Sequence, residues 1–510
     1  MIPRSTALAL SVALVASLSA RSSVADDSRP DASDLDQPKA VDPKPADAKP
    51  ADANPVDAKP DPKPNDGKPA TSFSPSGRFE FGSYGRVLIA SDLRGSLAKP
   101  LNIVAHGTRI DEDSYAELEL RREDDFTAKI HTRVVGTLAF AAPFFHFSGK
   151  PEQFFYIRNL YAQSTYDNAV FWAGSRMYRG DDAYLLNWWP LDNLNTIGGG
   201  AGYYFPKTDT RIAVHVGMQR LEDPFQYQVT QASSPFGIGA TGVVSLDRPR
   251  WVQSFKLTQM FREGRLLGNP KSGLKAILYG EVHEIGAGVY QDPASQQEIG
   301  LPSDWGFLAG AQVGLWTGQN DEHVNVWTRF AHGLAAYDIL AAPTTFANDR
   351  TTRGANEFLI AASGNVQRGP LSVMAAGYFR YFTDASEGST SRQRYDEGTA
   401  VVRPHLFLGE YFGISAEASY QARIYAYEDP TTRDGSQLFA GIWRFGVMPY
   451  FSPAGRGSFK RPQFRLVYAL SLPNAGARAH YAAEDARSQY AVQHYLGLSV
   501  EWWFNSSSYP

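Results

Sequence analysis

From Arg78 onward, apolar and polar side chains alternate in runs of strand length, separated by clusters of Gly, Pro, Asn and Asp. Eighteen such runs can be placed: 78–90, 113–122, 126–141, 154–165, 169–178, 198–206, 209–220, 250–263, 273–287, 304–316, 322–333, 355–367, 370–382, 397–408, 412–427, 436–451, 460–472 and 490–504. Alternation assigns their faces. In the first run Phe79, Phe81, Val87 and Ile89 oppose Glu80, Tyr84 and Arg86; in the second, Ala116, Leu118 and Leu120 oppose Tyr115, Glu117, Glu119 and Arg121. In the fifteenth, Ile414, Ala416, Ala418 and Ala422 oppose Glu417, Gln421 and Arg423; in the last, Leu496, Leu498, Val500, Trp502 and Phe504 oppose Tyr495, Ser499, Glu501 and Trp503. A charged side chain in mid-bilayer lipid costs about 2–4 kcal/mol, so the charged faces belong inside a closed, wet lumen. The expected fold is therefore all-β: a transmembrane antiparallel β-barrel of 18 strands, an even number with both termini in the periplasm.

One stretch breaks the rhythm. Strand-like runs at 154–165 and 170–178 flank the turn Tyr166-Asp167-Asn168; an irregular segment, Arg179–Thr196, follows, and Gly198–Gly200 begins the next strand. The irregular segment carries Asp181, Asp182, Asn187 and the pair Trp188-Trp189. Connections of this length without structure of their own are usually functional. The segment is expected to fold into the lumen as a third loop that constricts a pore. The glycine run reads as a backbone device that returns the loop to the wall. No helix is expected after it, so a nucleotide cradle is disfavoured.

The N-terminus has a different character. Met1–Ala25 reads as a secretory signal: Arg4, an apolar stretch, then small residues at 23 and 25, with cleavage after Ala25. Residues 26–75 drift around Asp-Ala-Lys-Pro and hold almost no large apolar side chains, so nothing offsets the entropy of ordering. They are expected to form a solvated, disordered periplasmic linker, extended at ~3.1 Å per residue where proline dominates; its alternating Lys and Asp could also touch the cell wall. The barrel domain then occupies residues 76–510.

The chain has 510 residues, no Cys and formal net charge −4. Disulfide frameworks and thiolate metal sites are excluded. Near-neutral charge gives no support to a nucleic-acid partner. Aromatic residues reach 13%, as girdles at both membrane interfaces require. His283 and His323 show no metal-ligand spacing, and no Gly-x-Ser-x-Gly elbow offers a nucleophile. No cofactor and no chemical step are expected.

Five segments, in order, carry a family likeness: Phe81-Gly82-Ser83-Tyr84-Gly85-Arg86; Tyr115-Ala116-Glu117-Leu118; Trp172–Tyr178 with Asp181-Asp182; Phe459-Lys460-Arg461-Pro462-Gln463-Phe464-Arg465; and Glu501-Trp502-Trp503. Together they resemble the maltoporins, carbohydrate-specific outer-membrane porins. The resemblance implies a homotrimer in outer-membrane lipid, admitting maltose, maltodextrins or related oligosaccharides by facilitated diffusion. In that family sugars move along an aromatic slide flanked by an ionic track. Aromatic faces suit the C–H face of a pyranose, and charged groups exchange hydrogen bonds with its hydroxyls.

By matching position the slide would contain Tyr84, Tyr115, Phe459 and Trp503. Trp327 is added from alternation alone. Trp189, or Trp188 one register away, would narrow the constriction with Asp182. The track would contain Arg86, Arg109, Glu117 and Arg158, with Arg176, Arg461 and Arg465 also facing the lumen. Tyr184 and Asn187 stand where the family has a His and a second Asp, which makes this constriction less acidic. Phe144, Phe145 and Phe147 are candidates for a second-loop aromatic lent by a neighbouring subunit. The competing readings are a general or ion-selective porin, an outer-membrane barrel enzyme, and a secreted carbohydrate-binding protein.

Overall fold

The computed structural model describes residues 76–141, 155–234, 237, 239–261, 271–388, 393–429 and 435–506. The signal segment, the linker, and Phe144, Phe145 and Phe147 lie outside the described residues. Eighteen antiparallel strands form one sheet that closes on itself. They are β1 Ser76–Ser91, β2 Tyr115–Thr127, β3 Ile130–Ala141, β4 Phe155–Tyr166, β5 Ala169–Arg179 and β6 Asn193–Phe205. Next come β7 Thr210–Gln219, β8 Arg250–Phe261, β9 Gly273–Ile285, β10 Asp304–Trp316, β11 His323–Gly333 and β12 Asn356–Arg368. The circuit ends with β13 Leu371–Thr383, β14 Tyr395–Phe407, β15 Phe412–Glu428, β16 Gln437–Phe451, β17 Gln463–Pro473 and β18 Gln493–Phe504. β18 pairs with β1 through registers such as Glu501 opposite Arg86, so the barrel has no open edge. Each expected run coincides with one strand, in order.

The longest connections leave one rim and the turns of two to six residues the other, which also carries the longer connection 452–462. Two extra hairpins, Tyr227–Ser233 with Ala240–Asp247 and Gly288–Gln291 with Glu298–Leu301, stand in the long connections after β7 and β9. They were not expected, being short additions outside the alternating wall.

The alternation is honoured on both faces. Phe81 and Leu120 are more than half exposed on the outside, while Glu117 and Glu119 are 1% exposed inside. Exposed rings mark both ends of the outer wall: Tyr166, Phe205, Phe261, Phe412, Phe451 and Phe504 near the short-turn rim, and Phe155, Trp251, Trp305, Phe330, Phe358 and Tyr381 near the other. This is the double aromatic girdle of a membrane-spanning barrel.

Most boundaries shift by a few residues, and three of the shifts have a local cause. β2 runs on to Thr127, its acidic end paired along the strand, Arg122 with Asp124 at 2.7 Å, and across the hairpin, His131 of β3 with Asp125 at 2.8 Å. β17 starts at Gln463, since Pro462 has no N–H for the ladder. β6 starts at Asn193, so the third loop is shorter than Arg179–Thr196 and Gly198–Gly200 sit mid-strand. There they make room across strands: a Cβ on Gly200 would lie 2.1 Å from the Trp172 indole.

Candidate functional site: a constricted lumen

Three connections turn into the lumen: 92–114 after β1, 180–192 after β5, and 452–462 before β17. The second is the expected constriction. A one-turn 3-10 helix, Tyr184–Leu186, is closed by Asn187 in the left-handed region, and Ala183 N–H donates to Trp188 O at 2.7 Å. Leu185, Leu186, Trp188 and Leu191 bury themselves against inward side chains of β9–β13, including Tyr279, Trp327, Leu359 and Tyr378. Each buried side chain of this size contributes about 1.5–3 kcal/mol, enough together to hold a loop inside a wet lumen. Leu191 also lies over Gly310, where a Cβ would approach it to 2.6 Å. Lys275 holds Asp181 at 2.6 Å and Lys256 holds Asp192 at 2.7 Å, tying both ends of the loop to β8 and β9.

Connection 92–114 crosses above it. Its 3-10 turn Arg109–Asp111 brings Ile110 over Gly446 of β16, and Arg444 fixes Asp111 at 2.8 Å. His106 stacks on Trp188 with centroids 4.0 Å apart.

At the meeting point sits Glu501. Its carboxylate accepts from Arg109 at 2.9 Å, Arg461 at 2.9 Å, Arg465 at 2.6 Å and the Tyr184 hydroxyl at 2.7 Å. Arg461 also donates to the Tyr184 hydroxyl. Arg109 donates to Tyr84 OH at 2.6 Å and pairs with Glu112 at 2.8 Å; Arg86 donates to Tyr84 OH at 2.9 Å. Next to them Arg158 pairs with Glu117 and donates to Tyr115 OH, which itself donates to Glu117 at 2.6 Å.

The aromatic groups lie against this chain of charge. Tyr84 and Trp189 form a cluster with Tyr115 and Trp503 packed on it, and Tyr84 and Tyr115 stand 6.1 Å apart. Tyr184 meets Trp503 and Phe459 edge-on, at 6.1 and 5.4 Å. Arg461 covers Trp503 at 4.3 Å and Arg179 covers Trp189 at 3.7 Å. Of the two tryptophans, Trp189 faces the aromatic group, and Trp188 turns to the wall beside Tyr378.

Thus Tyr84, Tyr115, Phe459, Trp503, Trp189, Arg86, Arg109, Glu117, Arg158, Arg461 and Arg465 come together. Asp182 is half-buried in the same loop, where burial pushes its carboxyl up to about 6 against the pull of Arg109. Besides Trp188, two residues stand apart. Trp327 is fully covered beneath the third loop, because inward alternation says nothing about what docks on the wall. Arg176 donates to Gln163 at 3.2 Å and lies over Trp172 and Tyr178, in a separate wall cluster. Sequence reasoning did not single out Glu501 as the hub, although alternation had placed it inward. It also missed the part of Tyr184, since no periodicity governs a loop.

A closed 18-stranded barrel with girdled outer wall, charged inner wall and inward loops is an outer-membrane porin. The chain belongs to the LamB porin family, whose model matches residues 79–504. No curated protein matches it. Among solved structures it is similar to OccAB1 of Acinetobacter baumannii, with 11% identity, TM-score 0.41, and coverage of 85% of this chain and 98% of that one. The outer membrane protein opdK of Pseudomonas aeruginosa is similar at 10% identity and TM-score 0.38, covering 84% and 98%. OccD3 (OpdP) of the same organism is similar at 10% identity and TM-score 0.40, covering 85% and 93%.

Proposed function

We propose that this porin conducts maltose, maltodextrins or related oligosaccharides by facilitated diffusion. The observation that carries the reading is the joining of Tyr84, Tyr115, Trp503 and Trp189 in one aromatic group flanked by the Arg109–Glu501–Arg465 and Arg158–Glu117 pairs. A sugar ring would lay its C–H face on the aromatics and exchange hydroxyl bonds with the charged groups, each contact weak enough for release. The functional unit is a homotrimer with its long connections outside the cell and the linker in the periplasm.

The test is conductance of the purified protein in a planar bilayer, titrated with maltohexaose and then sucrose. Saturable block by maltohexaose is expected, with half-block concentrations raised about three- to ten-fold by Trp503→Ala or Tyr115→Ala, the worth of one aromatic contact. Conductance that no sugar blocks would refute the sugar reading and favour an ion-selective porin, consistent with the density of charge in the lumen.

A further inference from the structure

Towards the short-turn mouth, beside Glu501, the inner wall of β14–β17 holds polar groups that the constriction does not use. His405, Tyr450 and Gln463 are 3%, 6% and 2% exposed. All three lie within two residues of the short-turn ends of their strands. Both imidazole nitrogens of His405, the Tyr450 hydroxyl and Nε2 of Gln463 have no hydrogen-bond partner among the described residues. They are neighbours: the His405 and Tyr450 rings are 6.0 Å apart, Tyr450 pairs in register with Arg465, and Gln463 lies opposite Glu501 and accepts from Arg465 at 2.6 Å. Buried polar groups of this kind are normally satisfied, and leaving them alone is costly.

The charge around them is unbalanced. Arg403 gives two bonds to one oxygen of Glu417, at 2.8 and 2.6 Å, and leaves the other oxygen without a partner. Arg461 and Arg465 share Glu501. Arg456 lies 5.1 Å over the ring of Phe407, which neighbours His405. Four guanidinium groups thus face two carboxylates, with three unsatisfied donors between them. Such a surface suits a solute that is itself an acceptor carrying negative charge.

We infer that the short-turn mouth holds an anion subsite, built from His405, Tyr450 and Gln463 within the Arg403–Arg456–Arg461–Arg465 field, for saccharides carrying a carboxylate or a phosphate. The inference rests on the sugar-channel reading and narrows its solute class. A sugar leaving the aromatic group would pass its anionic substituent to these donors, while a neutral sugar would offer them only hydroxyl oxygens, which are weaker acceptors.

The experiment is current block in planar bilayers by maltose, by maltobionate and by maltose 1-phosphate, added from either side. The full-length protein is compared with Tyr450→Phe and His405→Phe. Expected is half-block by one or both anionic sugars at a concentration at least ten-fold below that for maltose, the worth of one hydrogen bond to a charged group. Which of the two is preferred separates carboxylate from phosphate. Tyr450→Phe, which removes one hydroxyl and keeps the ring, should erase most of that preference and leave maltose block in place. Equal block by all three sugars overturns the subsite and keeps the slide; no block by any overturns both. Block by the anionic sugars alone supports the subsite and refutes the neutral-sugar slide. Should His405→Phe fail to assemble, Tyr450→Phe alone decides.

Discussion

Replacing Glu501 by Gln tests the centre of the constriction. The carboxylate is 2% exposed and receives three guanidinium groups between 2.6 and 2.9 Å together with the Tyr184 hydroxyl at 2.7 Å. The glutamine keeps the shape and one acceptor oxygen but removes the only charge these arginines share. Breaking a buried pair costs about 3–5 kcal/mol, because the partners are left uncompensated. Here the lower end applies: Arg109 keeps Glu112 at 2.8 Å, and Arg461 keeps two backbone acceptors at 3.0 Å. About 3 kcal/mol of stability should be lost, read as an earlier midpoint when the barrel is unfolded by urea in lipid vesicles. The local charge of Arg109, Arg461, Arg465 and Glu501 rises from +2 to +3. The reversal potential in a potassium chloride gradient should therefore move towards chloride. Glu501→Asp, which keeps the charge and withdraws one methylene, should restore most of the selectivity but less of the stability. An unchanged reversal potential in Glu501→Gln would show that ions do not pass this carboxylate and would refute the placing of the constriction.

Tyr184→Phe removes the hydroxyl that joins the third loop to Glu501 and Arg461 while keeping the ring against Trp503 and Phe459, so single-channel conductance should rise; an unchanged conductance would mean that this contact does not narrow the passage. Asp182, raised to about 6, is charged at pH 7.5 and neutral at pH 5, so selectivity should shift towards anions as pH falls through 6. Asp182→Asn should abolish that step, and a step of full size in the variant would assign it to another group. N-terminal sequencing of the exported protein should begin at Asp26. Deletion of residues 26–70 should leave sugar block intact, and any loss of co-sedimentation with cell-wall material would give the linker a binding role.

The alternation at β1 and β2 was sufficient to place Glu117, Glu119 and Arg121 inside and Phe81 and Leu120 outside, because a period of two admits one choice once lipid excludes charge. The same rule made the barrel count and its closure legible, since Arg86 and Glu501 both faced inward before their pairing was known. Local chemistry set boundaries less well. Residues 123–125 fell between two expected runs, yet belong to β2, with Arg122 beside Asp124 and His131 of β3 opposite Asp125, and the glycines at 198–200 read as a loop hinge, yet accommodate Trp172 from the neighbouring strand.

Where the inward loops dock lay beyond reach for a different reason. Tyr184, Trp189 and His106 take their positions from partners hundreds of residues away or on the far wall, and a segment without a repeat carries no record of which wall it meets. Trp327 shows the converse: its face was correct, but the third loop covers it. The sequence by itself determined that this chain forms a closed membrane barrel and which side chains line it, because both follow from a local period acting against a uniform solvent. Only the tertiary structure decided which of those side chains meet around Glu501, because that depends on where three aperiodic connections dock across the lumen.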